Sequence, residues 1–237
     1  MQLGKLENKA VEVLKNNKMD IFKNRDLCML IGINKTKAYN LVKSLKKKNI
    51  IKKIKNGIFS FSEIDEFVLA TSIHYPSYIS FWTALSYYKV TDNIPKKIFI
   101  ATTKYSREIN QFRYVTLSKK RFFGYIKIGN IVIAEKEKAI IDSLLFPKYS
   151  GGIKEIIKCL KNSLSEIDIK KLVAYAIKIE SKSVLRRLGY ILELVEYKNQ
   201  PIIEKIRRKI GRGYEKLDPS LEKKNNLNKK WLLDVNI

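Results

Sequence analysis

The chain has 237 residues, with 48 Lys and Arg against 23 Asp and Glu, one His, two Cys and a formal charge of +25. A hydrophobic fraction of 45% beside 30% charged residues belongs to a folded protein and excludes a disordered basic tail. No apolar run approaches the roughly 18 residues a membrane span needs, no signal peptide opens the chain, and a single His rules out the usual histidine-based zinc sites. The expectation is a cytoplasmic protein of one or two domains, with no metal, no cofactor and no membrane partner, and with Cys28 and Cys159 buried as reduced thiols. The positive balance favours polyanions, although Lys outnumbering Arg among abundant Ile and Asn also fits an AT-rich genome.

In chain order, a first helix is followed by a short one over residues 24–33 (NRDLCMLIGI), stopped at Gly32, and a longer one over residues 34–49, capped by Asn34. The Asn34-Lys35-Thr36 triplet reads as that cap and first turn, not as a glycosylation site. At 3.6 residues per turn, Ala38, Leu41, Val42 and Leu45 fall on one stripe and Thr36, Asn40, Lys43 and Lys47 on the other. IIKKIKNGIFSFS then predicts a hairpin, since both residues of Asn56-Gly57 tolerate positive φ. This order predicts a winged helix-turn-helix over residues 1–64 that binds double-stranded DNA, with the second helix in the major groove.

Asn40, central on the exposed face, can pair with both N6 and N7 of adenine, and Thr36 suits a thymine methyl or a phosphate. Lys35, Lys37, Lys43, Arg25 before them, and Lys53 and Lys55 in the wing are expected on phosphates. Tyr39, on the flank, suits either a phosphate hydrogen bond or packing against the wing.

Residues 62–74 predict a connecting strand or helix, with a domain boundary near Asp65. Beyond it, Ser77 is expected to cap a helix, YISFWTALSYYKV, buried on more than one side. KKIFIATT, FRYVTLS, GYIKIG and NIVIA read as strands, and residues 135–146 as a helix stopped by Pro147. From Gly152 to Ile210 the pattern is helical, including a segment capped by Ser165 and one opening at Pro201. The fold class is therefore α+β: a winged helix-turn-helix, then a mixed α+β domain over residues 65–237 that turns helical from about residue 152.

The segments YISFWTALSYYKVTDNIPKKIFIATTK, RFFGYIKIGNIVIAEKEKAIIDSLLFPKYSGGI and GYEKLDPSLEKKNNLNKKWLLDVNI resemble the C-terminal domain of AbiEi-type antitoxins. With the N-terminal segment the resemblance spans nearly the whole chain. It implies a transcriptional autorepressor that binds operator repeats upstream of its own operon and counters a cognate nucleotidyltransferase-like toxin. The family's antitoxins are of type IV, so direct contact with the toxin is not implied. The chain departs from the pattern where KKNNLNKK stands in place of a Gly-containing turn between LDP and Trp231.

Lys104, Arg107, Arg113, Lys119, Lys120 and Arg121 cluster around predicted strand ends and form a second candidate polyanion surface, with a solvated face as the alternative. No enzyme is expected. A metal-dependent nuclease would need an acid two residues before a lysine, whereas Glu135 is followed by Lys136 and Glu137 at a helix start. A free-standing regulator with a ligand- or partner-sensing second domain is the other alternative.

Overall fold

A computed structural model describes residues 2–237. It is a mixed α+β protein of ten α-helices and three sheets among the described residues. Two compact units divide it, one running up to Ile73 and the other from His74 to Ile237.

The first unit begins with α1 (Lys5–Asn16), β1 (Ile21–Lys23) and α2 (Asn24–Ile31). These are followed by α3 (Lys35–Lys47), β2 (Ile51–Lys55), β3 (Ile58–Phe61) and α4 (Glu66–Ile73). Local chemistry marks each boundary. Asp26 accepts from the Lys23 amide at 2.7 Å before α2, and Gly32 ends that helix at φ +73°, a backbone open to glycine at little cost. Asn34 caps α3 by accepting from the Lys37 amide at 2.9 Å. β2 and β3 form an antiparallel hairpin around Asn56-Gly57, and β1 pairs with β3, giving the order β1-β3-β2.

The core of this unit joins Ala10 and Leu14 of α1, Phe22 of β1, Leu27 of α2, the α3 stripe Ala38, Leu41, Val42 and Leu45, and Ile51 and Phe59 of the hairpin. Strand β1 was not expected from the sequence. Its Phe22 ring lies 6.1 Å from those of both Phe59 and Phe61, so three residues tie the hairpin to the helices. Cys28, expected to be buried, is only half-buried, whereas Cys159 is fully buried and its thiol is pushed by burial to about 12.

Glu7 links α1 to α3. Its carboxylate accepts from Lys48 Nζ at 2.5 Å, Ser44 Oγ at 2.6 Å and the Gly4 amide at 2.6 Å, and these bonds, that of Lys48 foremost, lower its pKa from 4.5 to about 2. A folded pKa below the unfolded value means that this stabilisation is complete above about pH 4.5 and is lost as the pH falls toward 2. Thermal melts of the native chain and Glu7→Gln from pH 7 to 2.5 are therefore expected to converge across that window. A difference that stays constant with pH would contradict the assignment.

The second unit is built on a six-stranded mixed sheet of order β6-β7-β5-β4-β9-β8. Its strands are β4 (Ser77–Ile79), β5 (Ile98–Thr102), β6 (Arg107–Ile109), β7 (Phe112–Thr116), β8 (Tyr125–Ile128) and β9 (Ile131–Ala134). Ser77 does not cap a helix. Residues 77–79 are a strand buried between β5 and β9, and α5 (Phe81–Tyr87) starts only after Ser80. A run of three buried residues is too short to show a period, so it satisfies a strand as well as a helix, and sheet pairing decides here.

Helix α6 (Lys136–Leu145) follows and is buried continuously from Glu137 to Leu144 because it packs against α5 and three later helices. These are α7 (Ile153–Ser163), α8 (Ile169–Lys178) and α9 (Lys182–Leu194), with α10 (Gln200–Arg207) beyond them. The cap of α8 is Asp168, which accepts from the Lys171 amide at 3.1 Å, and not Ser165. Asn199 caps α10, which places Pro201 one position inside that helix.

The tail folds into a small sheet of β10 (Glu215–Lys216), β11 (Leu227–Asn228) and β12 (Leu233–Asp234) in the order β10-β12-β11. Asn228 Oδ1 accepts from the Trp231 amide at 2.9 Å and positive φ falls on Asn225 and Leu232, so the KKNNLNKK segment turns without glycine.

Candidate nucleic-acid interface

Helix α3 separates its two faces cleanly. Ala38, Leu41, Val42 and Leu45 are buried, while Lys35, Thr36, Lys37, Asn40 and Lys43 are exposed and Tyr39 is 60% exposed. Between Asp26 and Glu63 the chain has no acidic residue, and lysines stand at 35, 37, 43, 46, 47, 48, 52, 53 and 55. Of these, Lys48 is committed to Glu7, and the ammonium of Lys55 donates to the carbonyl of Ile73 at 3.2 Å. Lys35, Lys37, Lys43, Lys53 and also Arg25 are exposed and make no ion pair among the described residues. The surface is therefore a band of cations around one polar amide, Asn40, with hydroxyls from Thr36 and Tyr39. Such a set can neutralise phosphates and still offer a side chain that pairs with a base edge.

The second set of cations is divided among internal partners. Arg113 bonds Glu108 at 3.1 Å and lies over the Tyr149 ring at 5.8 Å, and Arg107 bonds the Tyr105 hydroxyl at 2.9 Å. Lys119, Lys120 and Arg121 form a 3-10 turn in which Lys120 pairs with Glu180 and Arg121 Nε donates to the Ile179 carbonyl at 2.9 Å. Lys104 and Lys119 are exposed and make no ion pair among the described residues.

The second unit also holds buried charges. Lys138 and Asp142, one helical turn apart on α6, are fully buried and paired with each other. Asp142 also accepts from the Ser80 hydroxyl at 2.8 Å and the Tyr78 hydroxyl at 3.0 Å, and Lys138 Nζ lies 3.0 Å from the same Tyr78 oxygen. Burial lowers the Lys138 pKa against the opposing pull of Asp142, and burial, with Asp142 beside it, raises that of Tyr78. The sign of such a pair in sequence is charge at i and i+4 on an otherwise apolar stripe.

The acids at the start of α6 are likewise engaged. Glu135 bonds Lys171 at 2.9 Å and the Tyr175 hydroxyl, and Glu137 lies 3.3 Å from Lys171. Burial raises the Glu135 carboxyl, but Tyr175 and Lys171 together leave it below its ordinary value.

The fold and its surfaces define a two-unit α+β protein with a strongly cationic helix face in its first unit. No family model matches the chain, and no curated protein matches it. Among solved structures it is similar to the crystal structure of the RV2827C protein from Mycobacterium tuberculosis. The TM-score is 0.69 at 11% identity, over 98% of this chain and 92% of that one, a likeness that shows the fold alone. Among the described residues no helix is long and apolar enough to cross a membrane.

Proposed function

We propose that the chain is a DNA-binding transcriptional autorepressor that also serves as the antitoxin of a type IV toxin-antitoxin system in the cytoplasm. In this reading the first unit is a winged helix-turn-helix, α3 enters the major groove of operator repeats and the β2–β3 hairpin is the wing. The second unit, which resembles the AbiEi antitoxin domain, counters a nucleotidyltransferase-like toxin without direct contact being required. The observation that carries the DNA reading is the split of α3 into a buried apolar stripe and an exposed face of Thr36, Asn40 and Lys43, beside Lys35 and Lys37, with these lysines making no ion pair among the described residues.

Asn40→Ala is expected to lower affinity for the chain's own upstream DNA by about 1 to 3 kcal/mol, with random duplex nearly unaffected. Lys43→Ala is expected to weaken both duplexes and to reduce the slope of log K against log salt by about one. Binding isotherms on the two duplexes across a salt series measure both effects. If both substitutions leave both affinities unchanged, the groove assignment fails. The antitoxin half is tested by co-expression with a nucleotidyltransferase-like protein encoded beside this chain, where rescue of growth is the expected result.

A further inference from the structure

The C-terminal end of α6, the 3-10 turn Pro147–Tyr149, the first turns of α9 and the turn after Asp218 surround a cleft of about 370 Å3. That lies within the range of roughly 300 to 1,000 Å3 typical of small-ligand sites. Its polar lining is Lys148, Ser181, Ser183, Arg187 and Ser220, with no acidic side chain, and Phe146 adds an apolar wall.

Arg187 is the unusual member, being only 6% exposed. Its guanidinium donates to the carbonyls of Leu144 at 2.8 Å, Leu217 at 2.9 Å and Lys216 at 3.4 Å, and it has no carboxylate within ion-pair distance among the described residues. Its neighbour Arg186, by contrast, meets Glu215 at 3.2 Å. The Glu215 and Asp218 carboxylates act on Arg187 only from beyond ion-pair distance, and Asp218 is already engaged by the Ile153 and Ser220 amides at 2.9 and 2.8 Å, so an anion in the cleft would be its first directly bonded counter-ion.

The other donors have the same sense. Lys148 is exposed at the rim, Ser183 is half-buried and Ser220 is exposed. Ser181 caps the 13-residue α9 through a 3.4 Å bond from the Val184 amide, and the Lys182 and Ser183 amides, in the first turn, have no acceptor within the helix. Two hydroxyls, two first-turn amides, an ammonium and a guanidinium are more donors than the two oxygens of a carboxylate engage, and they suit the three oxygens of a phosphoryl group.

We propose that this cleft binds a small phosphorylated ligand. Its phosphoryl group lies on Lys148, Ser183 and the first turn of α9 and gives Arg187 a directly bonded anion, and the organic remainder rests on Phe146. The site is confined to the second unit and does not depend on whether the first unit binds DNA.

The test is calorimetric titration of the full chain with inorganic phosphate, pyrophosphate and adenosine monophosphate, against acetate and chloride at matched ionic strength. The phosphorylated probes are expected to bind saturably at one site per chain, and acetate and chloride are not. Lys148→Ala is expected to weaken binding at least tenfold without a change in melting temperature. Ser183→Asp, which places a carboxylate in the same first turn, is expected to abolish binding and raise the melting temperature. Lys43→Ala, on the DNA face, is expected to bind the probes like the native chain. Adenosine monophosphate binding more tightly than phosphate supports a role for the apolar wall, and equal binding places recognition on the anion alone. Absence of saturable binding by every phosphorylated probe, equal binding of acetate, or native affinity in both cleft variants overturns the proposal.

Discussion

Lys138→Met is expected to destabilise the second unit by about 3 to 5 kcal/mol, because it leaves a buried carboxylate without its cation. Asp142 is fully buried, and the Tyr78 and Ser80 hydroxyls that remain can hydrogen-bond it but cannot neutralise it. Asp142→Asn is expected to be costly for the converse reason, since Lys138 then keeps only Tyr78 and the faces of Tyr78 and Phe123 as partners. The double variant Lys138→Met/Asp142→Asn removes both charges, and its amide oxygen still accepts from Tyr78 and Ser80. It is therefore expected to be more stable than either single variant, with a coupling of about 1 to 3 kcal/mol measured by denaturant unfolding. Strictly additive losses would show that the two side chains are not a pair in solution.

Gly189→Ala has a comparable expected effect for a steric reason. An added Cβ would lie 2.1, 2.3 and 2.5 Å from three atoms of the Trp231 indole, distances at which one side must move. The indole has nowhere to go. It is fully buried, its Nε1 donates to Glu193 at 2.6 Å, and its backbone amide is held by Asn228. Expelling it approaches deletion of a buried tryptophan, about 3 to 5 kcal/mol. Gly213→Ala is the control: its added Cβ meets nothing within 4 Å, so only the strain of φ +83° remains, about 1 to 3 kcal/mol. Intrinsic fluorescence during unfolding checks both, with Trp231 expected to become solvent-exposed in Gly189→Ala at native pH. An emission spectrum and midpoint like those of the native chain would mean that the tail does not pack on α9 as described.

Some of this fold is legible in the sequence and some is not. The α3 stripe was legible because one face is buried and the other is not, so burial imprints a period of 3.6 on residue type. The hairpin was legible because Asn56-Gly57 has a conformational preference of its own. β1 was not, since three residues carry no period, and its pairing partner lies more than thirty residues away at Phe59. Residues 77–79 read as helix because a segment buried on every side shows no alternation.

Charge misled in a different way. Lys138, Asp142, Arg186 and Arg187 are polar types at buried positions, and Arg186 and Arg187 are matched by tail carbonyls distant in sequence. The cations around residues 104–121 looked like one surface, but several find internal partners contributed by distant elements, such as Ile179 and Glu180 at the end of α8. The exposed cations of α3 posed no such problem, because among the described residues Lys35, Lys37 and Lys43 make no ion pair. Lys55 of the hairpin differs, with its ammonium drawn to the Ile73 carbonyl.

In the proposed complex, α3 and the β2–β3 hairpin of the first unit are the surface that meets DNA. The most direct measurement is mass-spectrometric mapping of lysine acetylation on the full chain, free and bound to a duplex carrying its upstream region. Strong protection of Lys35, Lys37, Lys43 and Lys53 is expected, with Lys161 and Lys223, exposed in the second unit, modified at the same rate in both states. Unchanged acetylation of those four lysines on a duplex that is demonstrably bound would contradict it.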